Sequence, residues 1–170
     1  PTRFSADFVA RGGSDLALRQ RILSHDCMEF SPQQDDALKA VAKWLKAGKP
    51  QLFRLFGYAG TGKTTLARYF AEHVDGQVQF AAFTGKAAQV LRSKGAINAR
   101  TIHSLIYTLI SDDDHEPKFA LDPESEALTA DLIVIDEVSM VDEQLGKDLL
   151  SFGTKVLVLG DPFQLPPVQG

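Results

Sequence analysis

One glycine-rich segment, residues 57–64, constrains the fold of this chain more than any other feature. It follows a run of β-forming residues at 52–56 and precedes apolar residues at helical spacing. Its pattern, G-x-x-x-x-G-K-T, uses glycines so that the backbone can curl and direct successive N–H groups at one anion. The positive end of the following helix favours the same anion. The segment therefore predicts a strand–loop–helix unit that binds the phosphates of a nucleoside triphosphate.

Two residues of this loop have distinct expected roles. Lys63 would reach the β- and γ-phosphates, and the Thr64 hydroxyl would be a ligand of Mg²⁺. The whole set of nucleotide-binding residues predicted in the loop is Gly57, Ala59, Gly60, Thr61, Gly62, Lys63, Thr64 and Thr65.

Strand-like and helix-like segments alternate through the rest of the chain. Apolar runs at 78–83, 132–135 and 156–159 predict strands, and the last two suit strands that are buried on both faces. Helices are predicted at 31–48, where Ser31 and Gln34 form a capping box, after the glycine-rich loop, at 86–95, at 101–110, and around Leu145 and Leu149. The acidic stretch 111–129 is predicted to be a solvated surface loop. The alternation predicts an α/β fold with a parallel sheet and helices on both faces.

Length, charge and cysteine content narrow the class of protein. The 170 residues suffice for one domain, predicted at 30–170, with an N-terminal extension, 1–29, of unknown role. The net charge of −4 argues mildly against DNA binding by charge alone, so any nucleic-acid role must rest on motifs. One cysteine and the lack of a Cys/His cluster favour a reducing, cytoplasmic compartment without zinc. Since no apolar run approaches the roughly 18 residues of a membrane span, no membrane partner is expected.

Two further motifs follow predicted strands. Asp136 and Glu137 end a buried strand, at the sheet edge where the glycine-rich loop is also expected. Asp136 is suited to hold Mg²⁺ through its water shell, and Glu137 to polarise an attacking water. The pair therefore indicates hydrolysis. Gln164, in a proline-rich segment after the last strand, can donate to a phosphate oxygen; an ordinary proline-rich turn is an equal alternative.

Two weaker segments also open helices after strands. Thr84 with Lys86, and Thr101 with His103, could each contact a nucleic-acid phosphate. From the pattern alone, a routine helix cap is favoured for the first pair and a structural role for the second.

Taken in order, these segments resemble the first RecA-like motor domain of superfamily 1 DNA helicases, in the RecD-like and Dda-like branch. The resemblance covers roughly residues 31–170. Its most specific parts are TGKAA at 84–88 and GDPFQLPPV at 160–168, whereas the glycine-rich loop and VIDEVSMV at 134–141 occur in many P-loop ATPases. Two residues, Tyr58 and Phe83, depart from the family's usual sequence. Arg54 is a charged residue in a predicted buried strand, and the sequence shows no evident partner for it.

The resemblance implies ATP and Mg²⁺ as cofactors and a role for each motif. Gln34 would read adenine, although the capping box explains it equally well. Asp136 and Glu137 would be the Mg²⁺ ligand and the catalytic base, and Gln164 the sensor of the γ-phosphate. The residues implied to contact single-stranded DNA are Thr84, Lys86, Thr101 and His103. The strand leading into Gly160 would lie between those ending at Phe56 and Ile135.

The implied activity is ATP-driven movement along single-stranded DNA, with 5′ to 3′ polarity. In this family a second RecA-like domain of the same parent chain supplies the arginines that complete the ATP site, and none of its motifs occurs here. We therefore expect this chain alone to bind ATP weakly and to hydrolyse it barely. Two alternatives stay open: a P-loop ATPase of another class, and a nucleotide-responsive binding module of a recombination or nuclease complex.

Overall fold

The computed structural model describes residues 30–57, 60, 62–111, 117–138 and 141–161. In chain order, the elements within these ranges are α1 (Pro32–Ala47), β1 (Leu52–Phe56), α2 (Lys63–Glu72), β2 (Val78–Ala82), α3 (Gly85–Ser93), β3 (Arg100–Thr101), α4 (Ile102–Ile106), β4 (Tyr107–Ser111), β5 (Lys118–Leu121), α5 (Glu126–Thr129), β6 (Leu132–Asp136), α6 (Glu143–Ser151) and β7 (Val156–Gly160).

Five of the strands form one parallel sheet in the order β1-β7-β6-β2-β3. This order confirms the α/β prediction and the expected place of β7 between β1 and β6. Because parallel strands point the same way, the loops that follow β1, β7 and β6 share one edge of the sheet. Phe56 is paired with Gly160, and Ala82 with Asp136, at that carboxyl edge.

Helices cover both faces of the sheet. On one face α1, α2 and α3 contribute Leu38, Leu66 and Leu91 to a core that includes Leu132 and Val134 of β6. On the other face, α4 and α6 pack against the alternate residues of β6, Ile133 and Ile135. All four of these β6 residues are buried. Four consecutive apolar residues are therefore the signature of a strand that is covered twice, as predicted.

The position of β1 explains Arg54. Among the described strands β1 lies at the edge of the sheet, with β7 as its neighbour, and the Arg54 side chain is exposed to solvent. It therefore needs no buried partner. A charge on an edge strand also discourages pairing with another chain.

The helices predicted from local signals are present. Ser31 caps α1 as half of a capping box with Gln34, and Gly48 ends it at φ 78°. Within the described residues, no helix has the length and apolar character needed to cross a bilayer.

The prediction of a helix over 101–110 is wrong beyond Ile106, and so is that of a loop throughout 111–129. The chain turns into β4 at Tyr107 and pairs antiparallel with β5, while α5 follows at Glu126. Residues 112–116 lie outside the described part of the chain. The β-branched and aromatic residues of Tyr107–Ser111 favour a strand, and the surrounding acidic residues obscured its short partner. The buried Ser125 hydroxyl ties this region to α4 by donating to the Leu105 carbonyl over 2.6 Å.

Candidate functional site

The glycine-rich loop begins at the carboxyl end of β1. The Gly57 N–H donates to the Gly160 carbonyl over 3.2 Å, which fixes the start of the loop to the end of β7. Gly60 and Gly62 have φ values of 79° and 76°, in the left-handed region that glycine adopts without strain. The loop conformation therefore depends on glycine at both positions. Two predicted phosphate contacts, Ala59 and Thr61, lie outside the described residues.

Lys63 and Thr64 form the first turn of α2, immediately after the loop. The Lys63 ammonium donates to the Gly57 carbonyl and so spans the loop. Thr65 is exposed in the same turn. The helix is held in place by Leu66, Ala67 and Phe70, which are buried in the core. Because its buried face anchors α2, the first turn holds the Lys63 ammonium and the Thr64 hydroxyl at the edge of the sheet.

A hydrogen bond joins this helix to β6. The Thr64 hydroxyl donates to Asp136 Oδ2 over 3.1 Å, across 72 positions of sequence. A hydroxyl and a carboxylate are the hard oxygen ligands that Mg²⁺ accepts. Among the described residues no group of three His, Cys, Asp or Glu could hold a metal by itself. The pair thus suits a Mg²⁺ that takes its remaining ligands from phosphate oxygens and water, as such ions usually do.

Glu137 has an unusual backbone beside this pair. Its φ of 55° is the one positive value among the described residues other than glycine. The Glu137 N–H donates to Asp136 Oδ1 over 3.0 Å. The Asp136 carboxylate therefore accepts one hydrogen bond from Glu137 and one from Thr64. A left-handed conformation costs a residue with a side chain about 1 kcal/mol or more, and such strain is concentrated at functional sites. The exposed carboxylate of Glu137 can accept a proton from a water at this edge.

Gln34 adjoins the loop from α1. Its backbone N–H donates to Ser31 Oγ over 3.3 Å, while Gln34 Oε1 accepts from the Ser31 N–H over 3.0 Å. On the other side, a Cβ placed at Gly62 would lie 3.3 Å from Gln34 Nε2. The capping role is therefore present in the structure, and the same side chain reaches the N-terminus of α2.

The predicted DNA contacts lie at the same sheet edge, beyond β6. Thr84 caps α3 by accepting from the Ala87 N–H over 3.1 Å, and Thr101 caps α4 by accepting from the Ser104 N–H over 3.1 Å. The two caps are close because Ala82 is paired with Thr101 in neighbouring strands. Lys86 is exposed in the first turn of α3.

His103 belongs to a row of rings. Its exposed imidazole lies 6.1 Å from the Phe83 ring and 5.7 Å from the Tyr107 ring, centroid to centroid. These contacts give His103 a packing role as well as an exposed face.

Comparison with known proteins identifies the family. Residues 29–170 match a family model described as an AAA domain. The chain belongs to this AAA domain family. Among its relatives, the ATP-dependent RecD2 DNA helicase of Deinococcus radiodurans is 35% identical over 124 residues, and the match covers 69% of this chain and 16% of that protein. The ATP-dependent DNA helicase Dda of Enterobacteria phage T4 is 30% identical over 83% of this chain and 34% of its own length.

A solved structure is also similar to this AAA domain. The Pif1 helicase from Bacteroides, in complex with ADP-AlF3 and single-stranded DNA, is 26% identical with a TM-score of 0.57, over 84% of this chain and 34% of that one. The matches confirm the resemblance to the RecD-like and Dda-like branch of superfamily 1. The AAA domain spans 34% or less of the length of each of these relatives.

The AAA domain brings together the loop, Thr64, Asp136 and Glu137, with Gln34 alongside. It keeps the Thr101 cap apart from the loop, since β3 lies four strand positions from β1, roughly 19 Å at the usual spacing, whereas Thr84 follows β2, the strand next to β6. Gln164 lies outside the described residues, four positions after the end of β7.

One polar contact of the AAA domain had no sequence signal. The Tyr107 hydroxyl donates to Asp148 Oδ2 over 2.5 Å, and Gln144 Nε2 donates to the other oxygen of that carboxylate over 2.9 Å. Burial, with the bond to Asp148 next, raises the pKa of Tyr107 to about 12. The bond fixes the first residue of β4 to α6, 41 positions away. No local pattern could have revealed a pair so distant.

Proposed function

We propose that this chain is the ATP-binding motor domain of a DNA helicase or translocase, which hydrolyses ATP to move along single-stranded DNA. The observation that carries the proposal is the bond between Thr64 and Asp136. It joins the phosphate-binding loop to a carboxylate at the metal-binding edge, with a second carboxylate next in sequence. Binding alone would not require that second acid.

The hydrolytic step is assigned to residues of this edge. The loop N–H groups and Lys63 bind the phosphates, and Lys63 exchanges the Gly57 carbonyl for a phosphate oxygen. Thr64 and Asp136 would hold Mg²⁺, which when bound neutralises charge on the phosphates. Glu137 accepts a proton from the attacking water, whose oxygen forms a bond to the γ-phosphorus as the bond to ADP breaks.

Gln164 is proposed as the sensor of the γ-phosphate. Support comes from β7, which ends at Gly160 beside Phe56 and the start of the loop. Four extended residues span up to about 14 Å, a length that would allow Gln164 to approach the loop.

Single-stranded DNA is proposed to contact Thr84, Lys86, Thr101 and His103. These residues share the carboxyl edge with the nucleotide residues, and Ala82, just before Thr84, is paired with Asp136. The Pif1 helicase of similar fold binds single-stranded DNA and ADP-AlF3 together. An element that follows β2 and neighbours Asp136 can therefore sense both ligands.

The remaining parts of the proposal concern the complete protein. Residues 30–170 form the motor domain, and a second RecA-like domain of the parent chain adds arginines across the ATP site. Because such arginines contribute about 10³–10⁵ to rate in related NTPases, this chain alone should bind ATP weakly and turn over well below about one per second. A 5′ to 3′ direction and a cytoplasmic location complete the proposal.

The test is the ATPase rate with and without single-stranded DNA, on this chain and on the complete protein, each beside Lys63→Ala. DNA should raise the rate of the complete protein many-fold, and Lys63→Ala should abolish it. ATP binding without turnover in the complete protein would favour the nucleotide-responsive binding module. Turnover that ignores DNA would favour a P-loop ATPase of another class.

A further inference from the structure

The Phe56 ring lies on the backbone of Gly160 at the carboxyl edge of the sheet. The two residues are paired in register as the last residues of β1 and β7. Side chains at paired positions point to the same face, so the ring occupies the space that a side chain at 160 would take. A Cβ at Gly160 would lie 2.6 Å from Phe56 Cε1 and 2.8 Å from Phe56 Cδ1, far inside van der Waals contact.

This ring, and not the backbone conformation, is what requires glycine at position 160. Gly60 and Gly62 have positive φ values, whereas Gly160 belongs to a regular strand and does not. The three nearest atoms that a Cβ at Gly160 would meet all belong to the Phe56 ring. Gly146 on α6, by contrast, has open space where its Cβ would be.

Packing in the core does not account for the Phe56 ring. Of the other apolar residues of β1, Phe53 and Leu55 pack against the core on one face of the sheet and Leu52 packs on the other. The Phe56 side chain is 39% exposed and belongs to neither core cluster of the described residues. Its close contact is with Gly160, beside the phosphate-binding loop.

The contact stands at the start of a short path to Lys63. The N–H of Gly57, the residue after Phe56, donates to the Gly160 carbonyl over 3.2 Å. The Gly57 carbonyl in turn accepts from the Lys63 ammonium. One residue therefore joins the end of β7 to the cation that is proposed to bind the phosphates.

The end of β1 benefits from an attachment besides this hydrogen bond. Among the described strands β1 has β7 as its one neighbour, so its last residue is held to the sheet from one side. The 3.2 Å bond of Gly57 is at the long end of the usual range, and exposed strand ends open readily. A ring that fits over Gly160 resists movement of the two strand ends relative to each other.

We infer that Phe56 is a positioning residue for ATP hydrolysis, because its ring on Gly160 holds Gly57 against β7 and so fixes the point from which Lys63 acts on the phosphates. This role rests on the proposed hydrolysis of ATP. It gives an exposed phenylalanine, outside the core, a part in the proposed ATP site.

Substitutions on both sides of the contact test this role in the complete protein. Phe56→Ala removes the ring, and Gly160→Ala adds the methyl group that the ring excludes. Each should lower kcat about tenfold, since the expected shift of Lys63 is smaller than the misplacement of about 1 Å that costs about 10²-fold. The controls, Gly146→Ala in open space and Phe119→Ala, an exposed ring on β5, should leave kcat unchanged.

The double variant separates a steric contact from two independent defects. Without the ring the added methyl group has no clash, so Phe56→Ala/Gly160→Ala should have the kcat of Phe56→Ala to within about twofold. Independent effects would multiply to a loss of roughly 100-fold, and that result would overturn the inference. Phe56→Tyr, which keeps the ring, should retain the wild-type kcat.

ATP affinity shows whether the effect passes through Lys63. Phe56→Ala should raise the dissociation constant of ATP about fivefold, but should not change it in a Lys63→Ala background, where the positioned group is absent. A merely structural role would lower the melting temperature and leave kcat and ATP affinity of the folded protein unchanged. That result, or an equal loss of affinity in both backgrounds, would contradict the positioning role.

Amide hydrogen exchange follows Gly57 directly and needs no nucleotide. The Gly57 N–H should be protected in the wild type and should exchange about tenfold faster in Phe56→Leu, which keeps an apolar side chain without the ring. Rapid exchange in the wild type, or an unchanged rate in Phe56→Leu, would overturn the inference even if Phe56→Ala does not fold.

The wild-type rate distinguishes failure of this inference from failure of the proposed function. A complete protein that does not hydrolyse ATP would contradict both. Wild-type hydrolysis with an unaffected Phe56→Ala variant would contradict the role of Phe56 alone.

Discussion

The two halves of the carboxyl edge are built differently. Around β1, β7 and β6, polar groups bond to partners far away in sequence, as Thr64 does to Asp136 and Gly57 to Gly160. Around β2 and β3, the hydroxyls of Thr84 and Thr101 bond within their own helices. The first half is therefore pre-assembled by tertiary contacts, whereas the second presents side chains that act singly. Substitutions in the first half should have large, non-additive effects on stability and activity, whereas those in the second half should have small, additive effects.

The largest expected effect is that of Glu137→Gln in the first half of the edge, around β1, β7 and β6, where nucleotide is proposed to bind. Loss of the proton acceptor should lower the single-turnover rate of ATP hydrolysis by the complete protein by about 10²–10⁴-fold, with little change in ATP affinity. Glu143→Gln is the matched control, because Glu143 is an exposed acid on α6 that pairs with Lys147. A Glu137→Gln rate within tenfold of wild type would remove Glu137 from the catalytic role.

Tyr107→Phe tests the long-range polar contact outside the nucleotide half. Loss of the bond to Asp148 should lower the free energy of unfolding by about 1 kcal/mol, since solvent screens this partly exposed pair. Folding raises the pKa of Tyr107 from 10.0 to about 12, so the contribution is complete below pH 10 and is lost as pH rises toward 12.

Urea unfolding of wild type and Tyr107→Phe between pH 8 and 12 measures both effects. The difference between them should be constant up to about pH 9.5 and then shrink. A difference that grows with pH would contradict the direction of the pKa shift.

A double-mutant cycle tests the contrast between the two halves directly. Thr64→Val and Asp136→Asn should be non-additive in urea unfolding, with a coupling of roughly 0.5–1.5 kcal/mol, because the side chains touch. Thr84→Val and Thr101→Val should add to within about 0.5 kcal/mol. Equal coupling in the two cycles would show that the halves do not differ in construction.

Lys86→Ala should give the smallest effect. Removal of one exposed cation should weaken single-stranded DNA binding of the complete protein about fivefold and make the salt dependence shallower by about 0.7 in log–log slope. Lys43→Ala, an exposed lysine on α1, is the control and should change neither quantity. An unchanged slope in Lys86→Ala would place the DNA elsewhere.

The features predicted from sequence are those encoded by neighbouring residues. The capping box of Ser31 and Gln34, the turn of Gly57–Lys63, and the double burial of β6 each depend on a few consecutive positions. The place of β7 beside β1 came from family resemblance, because nothing in the spacing of residues determines strand order.

The predictions that were wrong concern segments whose conformation depends on contacts between residues distant in the sequence. The hairpin of β4 and β5 is attached by Tyr107 to Asp148 and by Ser125 to Leu105, contacts across 41 and 20 positions. Helical spacing continued through Tyr107 in sequence, but tertiary pairing decided the conformation. Arg54 was unexplained for the same reason, since a sequence does not say which strand lies at an edge.

The left-handed backbone of Glu137 has a consequence for directed evolution. Glycine would relieve about 1 kcal/mol of conformational strain there and would at the same time delete the carboxylate. A library screened only for heat resistance should therefore enrich Glu137→Gly, and if Glu137 has its proposed catalytic role, these more stable variants would bind nucleotide without hydrolysing it. At position 137, the free energy of unfolding favours glycine, whereas the proposed hydrolysis of ATP requires glutamate.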